Sequence, residues 1–335
     1  MKSSVNYPEM KAQPSTRSSR SWIEWHTAAL TIIIYGSWIG LTLFWHSIPY
    51  VILFLAGGWI IAWHGSLQHE VLHGHPTRSR RINDLIGWPP LSIWLPYRIY
   101  KSSHLKHHND EWLTDPIEDP ETYYLTGTDW SEMGPIGRLV FKMNNTLAGR
   151  LILGPFVALF VFGSSEISRI VRGDRRHIRI WILHIISCLA VFAWTTLVCD
   201  MPIWVYLTAF VYSGLSLSRL RSFAEHRYSG TKEERTAIVE NSPVFGLLFL
   251  HNNLHIVHHW WPQVAWYDIP KFYRTHRQAF ISLNGGLVYD GYREVANRYL
   301  FRLHHEPIHP QHAESAQPDQ HDVPLMSKDG QAITG

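Results

Sequence analysis

The chain has 335 residues, only 17% of them charged, with 16 tryptophans and a formal net charge of +3. So small a positive excess argues against a nucleic-acid partner. The two cysteines, Cys188 and Cys199, provide no disulfide framework, CxxC pair or iron–sulfur ligand set. Few charges beside many tryptophans point to a chain that meets a membrane interface, where an indole keeps one edge wet and the other apolar.

In chain order, residues 1–21 are polar, rich in Ser, Lys and Arg, and without periodicity, and are expected to be disordered. Residues 27–45 carry no charge and are long enough to cross a bilayer core. After the connection His46-Ser47-Ile48-Pro49, a second apolar run over 49–64 returns. Residues 180–198 and 202–217 repeat the pattern across Cys199-Asp200-Met201. The predicted fold is an all-α membrane protein with four transmembrane helices in two hairpins, over a domain of residues 22–303. Residues 86–97, broken by Pro89, Pro90 and Pro96, and residues 147–162, which contain Arg150 and Pro155, are predicted to be interfacial. If 147–162 crossed, Arg169, Arg172, Arg175, Arg176 and Arg179 would fall on the wrong side; an undetected further pairing would give six spans. Basic residues such as Arg78, Arg80, Arg81, Arg98 and Lys101 keep to one side, so the reading places that side and both termini in the cytoplasm. Helix is predicted from about Ser242 to His259, and an amphipathic helix over 289–302. Residues 304–335, polar and Pro-rich, are expected to form a disordered tail whose histidines share no single spacing.

Three histidine clusters stand out against this frame: His69 and His73; His104, His107 and His108; His255, His258 and His259. Residues three and four apart share a helix face, so each cluster aims its imidazoles at one region. The second and fourth spans both return to the cytoplasmic side, which brings all three clusters to one face. Eight neutral imidazoles suffice for two metal ions, and imidazole suits Zn, Fe, Cu and Ni. His69-Glu70-Val71-Leu72-His73 also reads as HExxH, the zinc-protease arrangement of two ligands around a general base. That alternative leaves six clustered histidines without a purpose. A non-catalytic metal-handling membrane protein is the other reading outside redox chemistry. Cleaving an unactivated C–H bond needs an oxidant that no side chain supplies, so a redox metal is expected to take that step.

The order HxxxH, HxxHH, HxxHH on two membrane hairpins resembles the integral-membrane fatty acid desaturase family, over roughly residues 62–271. Relatives of that family include alkane hydroxylases and carotenoid oxygenases. The resemblance implies two non-haem iron ions under a cytoplasmic helical cap, dioxygen as co-substrate, and a lipid-like acyl substrate. It implies iron ligation by His69, His73, His104, His107, His108, His255, His258 and His259, and by a further histidine after the fourth span, matched by His226. Electrons are expected from a separate carrier, such as a ferredoxin or a cytochrome b5-like protein with its reductase. The run from His255 to Pro270 resembles bacterial branches, which implies a bacterial inner membrane. Those branches also include terminal-alkene formation and desaturation of an amino-acid-derived metabolite, and hydroxylation shares the first hydrogen abstraction.

Among the neighbours, His251 is read as a supporting residue rather than a ligand, and His75 as a loop histidine. Asp115, Asp119, Glu70 and Glu225 are candidates to orient ligand imidazoles, with turn formation before proline the competing role for the two aspartates. His26, His46, His64, His177, His184 and His276 share no pattern and are read as structural.

Overall fold

The structure, a computed structural model, describes residues 22–109 and 111–313. The N-terminal segment 1–21 and residues 314–335, both expected to be disordered, lie outside the described residues. In chain order the helices are α1 (Trp25–Leu43), α2 (Tyr50–Leu72), α3 (Arg80–Gly87), α4 (Tyr97–Asn109), α5 (Gly127–Glu132), α6 (Pro135–Asn144), α7 (Leu147–Ile152) and α8 (Gly154–Val171). Then come α9 (Arg175–Ala193), continuing as a π-helical turn to Val198, α10 (Ile203–Tyr206), a π-helical stretch Leu207–Tyr212, and α11 (Ser213–Ala224). The rest of the cap comprises α12 (Pro243–Leu248), α13 (His255–Trp260), α14 (Ile269–Leu283) and α15 (Gly291–Tyr299). A parallel pair, β1 (Ile238–Val239) and β2 (Val288–Tyr289), ties these elements together.

Two helical hairpins form the base. Pro49 opens α2 and Pro202 opens α10, each ending a tight connection that the preceding helix cannot enter. The two connections lie side by side: the Trp45 indole donates to Cys199 O at 3.0 Å, and the Trp194 indole to Thr42 Oγ1 at 3.0 Å. From there α2 and the continuous helical run 203–224 ascend together in close contact. A Cβ on Gly57 would stand 2.5 Å from Ala209 O, and one on Gly214 would stand 2.4 Å from Ile61 Cβ. Small residues let the two backbones approach where apolar surroundings give no other drive for association. Polar groups buried in this bundle pair with one another where the Trp38 indole donates to the Tyr206 hydroxyl and that hydroxyl donates to Leu91 O.

Four helices are long and apolar enough to cross a membrane: Trp25–Leu43, Tyr50–Leu72, Gly154–Val171 and Arg175–Val198. Three match the sequence expectation and the fourth differs. The stretch 147–162 divides at Leu153, so Arg150 falls on the short α7 and leaves α8 uninterrupted. The run 203–224 carries Arg219 and Arg221 in its second half and buries Ala209, Phe210 and Leu215 against the bundle. The ends of α8 meet one end of the bundle. Gly154 packs beside Arg219 of α11, and Glu166 accepts from His177 Nδ1 at 2.7 Å and from the Trp181 indole at 3.0 Å, in the opening turns of α9. That end of α9 lies opposite the connections near Thr42.

Two further expectations are corrected. The helix predicted from Ser242 to His259 is interrupted between α12 and α13, where Leu250 and His251 adopt φ of 50° and 58°. Backbone in this left-handed region cannot continue a right-handed helix. The chain from His304 to Ala313, expected to belong to a disordered tail, is folded. Ile308 forms a bridge with Leu125, His309 N donates to Leu125 O at 2.9 Å, and His304 and His309 are buried. Backbone pairing, which composition does not report, holds this strap in place.

Candidate metal centre

All nine predicted histidines gather at the end of the bundle opposite the hairpin connections. α2 delivers His69 in its last turn and His73 at its C-cap, and α4 presents His104, His107 and His108 on successive turns. His226 follows α11 in a short bridge with Thr236. The six-residue α13 carries His255, His258 and His259, so the interruption before it, not a long helix, sets the direction of this cluster.

The imidazoles divide into two groups that can each hold a metal ion. His69, His73, His104, His108 and His258 form one; His107, His226, His255 and His259 form the other. Within each group the ligand atoms all lie within 4.8 Å of one another. The groups adjoin, with the rings of His108 and His259 stacked at 4.5 Å between centroids. In the first group His104 Nε2 lies 3.2 Å from His73 Nε2 and 3.0 Å from His108 Nε2, while His258 Nε2 lies 2.8 Å from His108 Nε2. In the second, His255 Nε2 lies 3.0 Å from His226 Nε2 and 3.2 Å from His259 Nε2.

The outer edges of the rings decide what these close approaches mean. His226 Nδ1 faces Arg235 O at 3.2 Å, an atom that can only accept, so the proton of the neutral ring resides on Nδ1. His104 Nδ1 lies 3.0 Å from Glu121, His107 Nδ1 2.8 Å from Asp119, and His255 Nδ1 3.0 Å from Asn252 Oδ1 and 3.3 Å from Glu225. In His226 and His255, whose Nδ1 protons are both held outward, the facing Nε2 atoms are bare lone pairs 3.0 Å apart that repel one another unless a cation lies between them. Two nitrogens each about 2.1 Å from one ion and at a right angle stand about 3.0 Å apart, as these do. The donor set therefore fits metal ions, and carboxylate–histidine pairs of this kind fix tautomer and ring direction.

Electrostatics agree with that fit. Burial, with His107 nearby, holds His226 down to about 3, and burial likewise keeps His104, His255, His258 and His259 well below the ordinary imidazole value. Neutral imidazole is the form that binds metal. His107 is the exception: burial opposes its charge, but the carboxylates of Glu121 and Asp119 outweigh burial and raise it to about 9. A charged ring there must give up its Nε2 proton to ligate a metal. Burial pushes Glu225 up to about 7 although Arg221 Nε lies 2.7 Å away.

Asp119 and Glu225, expected from the sequence as orienting groups, face His107 and His255, and Glu121 and Asn252, not expected from it, face His104 and His255. Asn252 connects the groups, with Nδ2 at 3.2 Å from His69 Nε2 and Oδ1 on His255. Nothing in the local spacing marks either residue, since each lies in irregular chain. Asp115 serves elsewhere: it accepts from Ile117 N and Glu118 N and meets His312 Nε2 at 2.8 Å. His251 lies outside both groups and stacks on Trp266 at 6.0 Å. His75 is buried with Nδ1 2.6 Å from Glu24, whereas His64 and His184 make structural contacts with Tyr35 and Ile93 O.

A family model described as "Fatty acid desaturase" matches residues 43–290, a span that includes all nine histidines. The chain belongs to the fatty acid desaturase family. A similar protein is the "Zeaxanthin 4-ketolase" of Chlamydomonas reinhardtii, 24% identical over 220 residues, which are 64% of this chain and 42% of that protein. This desaturase-family chain thus spans less than half the length of that relative. Family membership agrees with the fold, in which apolar helices carry a histidine-rich end.

Proposed function

We propose that this protein is an oxygen-dependent, membrane-bound di-iron oxidoreductase that introduces a double bond into a fatty acyl or other lipid-like substrate. The nine histidines are the iron ligands, five in one group and four in the other. The observation that carries the reading is the facing of the His226 and His255 Nε2 atoms across 3.0 Å while both Nδ1 atoms are held outward by acceptors, within two groups of inward-turned imidazoles. When bound, two irons would supply the oxygen activation and one-electron chemistry that C–H cleavage requires. The protein's own part is positional. Asp119, Glu121, Glu225 and Asn252 keep the rings turned inward, and the burial of His104, His107, His255 and His258 excludes water from the ligand atoms.

A specific observation supports a second outcome, oxygen insertion. The named activity of the algal relative is that of a ketolase, and oxygenation and desaturation share the first hydrogen removal. The zinc-protease reading fits less well, because His69 and His73 share their group with three other imidazoles. A catalytic zinc keeps three protein ligands and an open position.

The arginine-rich connections support a cytoplasmic metal end, and the resemblance to bacterial branches supports an inner-membrane setting. Electrons would come from a separate ferredoxin or cytochrome b5-like carrier. We read α8 as lying along the cytoplasmic face, since its two ends meet the metal-side parts of α11 and α9.

The test is expression of the wild type and His258→Ala with a competent electron donor, followed by mass analysis of lipids and small metabolites. A wild-type product two hydrogens lighter is expected. A product one oxygen heavier assigns hydroxylation, a net gain of oxygen with loss of two hydrogens assigns ketone formation, and no change in any pool overturns the reading.

A further inference from the structure

Arg150 is 1% exposed, yet among the described residues no carboxylate forms an ion pair with it. Its Nε donates to Asn144 O at 2.7 Å, its Nη2 donates to Asn145 Oδ1 at 3.1 Å, and its guanidinium lies 3.7 Å above the Tyr123 ring. Its Nη1 is buried and without a hydrogen-bond partner. Arg219 stands beside it. Arg219 Nη1 donates to the Tyr123 hydroxyl at 2.6 Å and its guanidinium sits 5.5 Å over Trp94, while its Nε is also buried and unpartnered. Gly154 packs against both stems: a Cβ there would meet Arg150 Cδ at 3.2 Å and Arg219 Cγ at 3.3 Å. Among the described residues neither arginine has a carboxylate within ion-pair distance. Asn144 Oδ1, likewise without a donor, could satisfy one N–H but cannot cancel a charge.

A buried guanidinium beside a second, partly exposed one is costly without a counter-charge, and their forked N–H groups match the oxygens of a carboxylate or phosphate. Burial raises the Tyr123 pKa, but Arg219 and Arg150 outweigh it and hold the phenol below its usual value, a measure of the positive field there. The surroundings suit an amphiphile. The pair lies at the start of α8, whose Phe156 and Phe160 face outward, and beside Trp94 of the Pro-rich segment. It also lies near the metal centre: Tyr123 follows two residues after Glu121, the partner of His104, and Arg219 precedes Glu225 by less than two helical turns.

We propose that Arg150 and Arg219 form a site for the anionic head group of an amphiphile, a carboxylate or phosphate, whose apolar tail lies in the bilayer beside α8. Resting on the function proposed above, this head group is the acid end of the substrate, which makes a free fatty acid the substrate class. The assignment predicts selectivity for an acid over the alcohol or ester of the same chain length.

The test measures binding of radiolabelled palmitate and hexadecanol to the full chain in zwitterionic nanodiscs, with and without metal, for wild type, Arg219→Gln and Arg219→Lys. Arg219 is partly exposed, so these variants are the first choice, with Arg150→Gln as a second. Wild type is expected to prefer palmitate, and Arg219→Gln to weaken palmitate by about tenfold or more while hexadecanol is unchanged. Arg219→Lys should fall between. A preference for dioleoylphosphatidate over palmitate, lost in Arg219→Gln, upholds the anion site and assigns it to a bilayer lipid. Equal binding of acid and alcohol, or undiminished palmitate binding in Arg219→Gln, overturns it. Because binding is read without turnover, an inactive protein that still selects palmitate through Arg219 would count against the oxidoreductase reading alone.

Discussion

Asp119 shows how one carboxylate organises a metal ligand. It is 4% exposed, faces His107 Nδ1 at 2.8 Å, and accepts from Thr114 N and Glu121 N. Replacing it by Asn removes the charge that holds the His107 tautomer while preserving the shape. Outer partners of metal-bound histidines typically contribute about 10–100-fold in metal affinity or activity. Asp119→Asn is therefore expected to weaken metal binding by a factor in that range with the helical content unchanged, measured by metal titration beside circular dichroism. Unaltered affinity would remove Asp119 from the site. Eight of the nine histidines were legible in the sequence because three five-residue stretches repeat them at spacings of three and four, and His226 was legible only through the family resemblance. Glu121 and Asn252 were not, because a single polar residue in irregular chain becomes an orienting group only through tertiary contact.

The same contrast appears among elements. α1 and α2 and the connection between them follow from uncharged length and a proline. The full length of α8 was hidden because one charge, Arg150, belongs to a short separate helix that the run of letters merged with it. α13 was hidden inside a longer predicted helix, since propensity does not anticipate the left-handed residues Leu250 and His251. The tight contact between α2 and α11 makes a sharp prediction. Gly214→Ala would place its methyl 2.4 Å from Ile61 Cβ, and overpacking of this kind costs about 1–3 kcal/mol. Thermal unfolding in detergent should show that loss, whereas Gly36→Ala, with nothing within 4 Å, should not.

The C-terminal strap carries a dependence on pH. Burial holds His309 down to about 4, against the opposing charge of Asp115 and with His312 and Arg235 adding to the burial effect, and burial holds His305 at about 4. The free imidazole takes its proton near 6.5, so between about 6.5 and 4 the detached strap binds more protons than the docked one. Docking is fully favourable above that window and weakens as pH falls through it. Hydrogen exchange at the amides of Leu125 and His309, corrected for the intrinsic rate, should show protection at pH 7.5 that declines toward pH 5. Constant protection across the window would contradict the assignment.

For the whole molecule, the hairpin connections mark one end and the histidines the other, and the proposed direction across the membrane rests on the basic connections. In a background lacking Cys188 and Cys199, His46→Cys should react with an impermeant thiol reagent from outside the cell. Lys142→Cys and Arg172→Cys, which flank α8, should both be reached only from the cytoplasm. Reaction of those two from opposite sides would show that α8 crosses.

The central claim is that two adjoining histidine groups each hold an iron ion. Its most direct measurement is the metal content of the full chain purified from iron-replete cells, compared with His258→Ala from one group and His255→Ala from the other. About two irons per wild-type chain are predicted, with a loss of about one or more in each variant. One zinc per chain and no iron would contradict the claim.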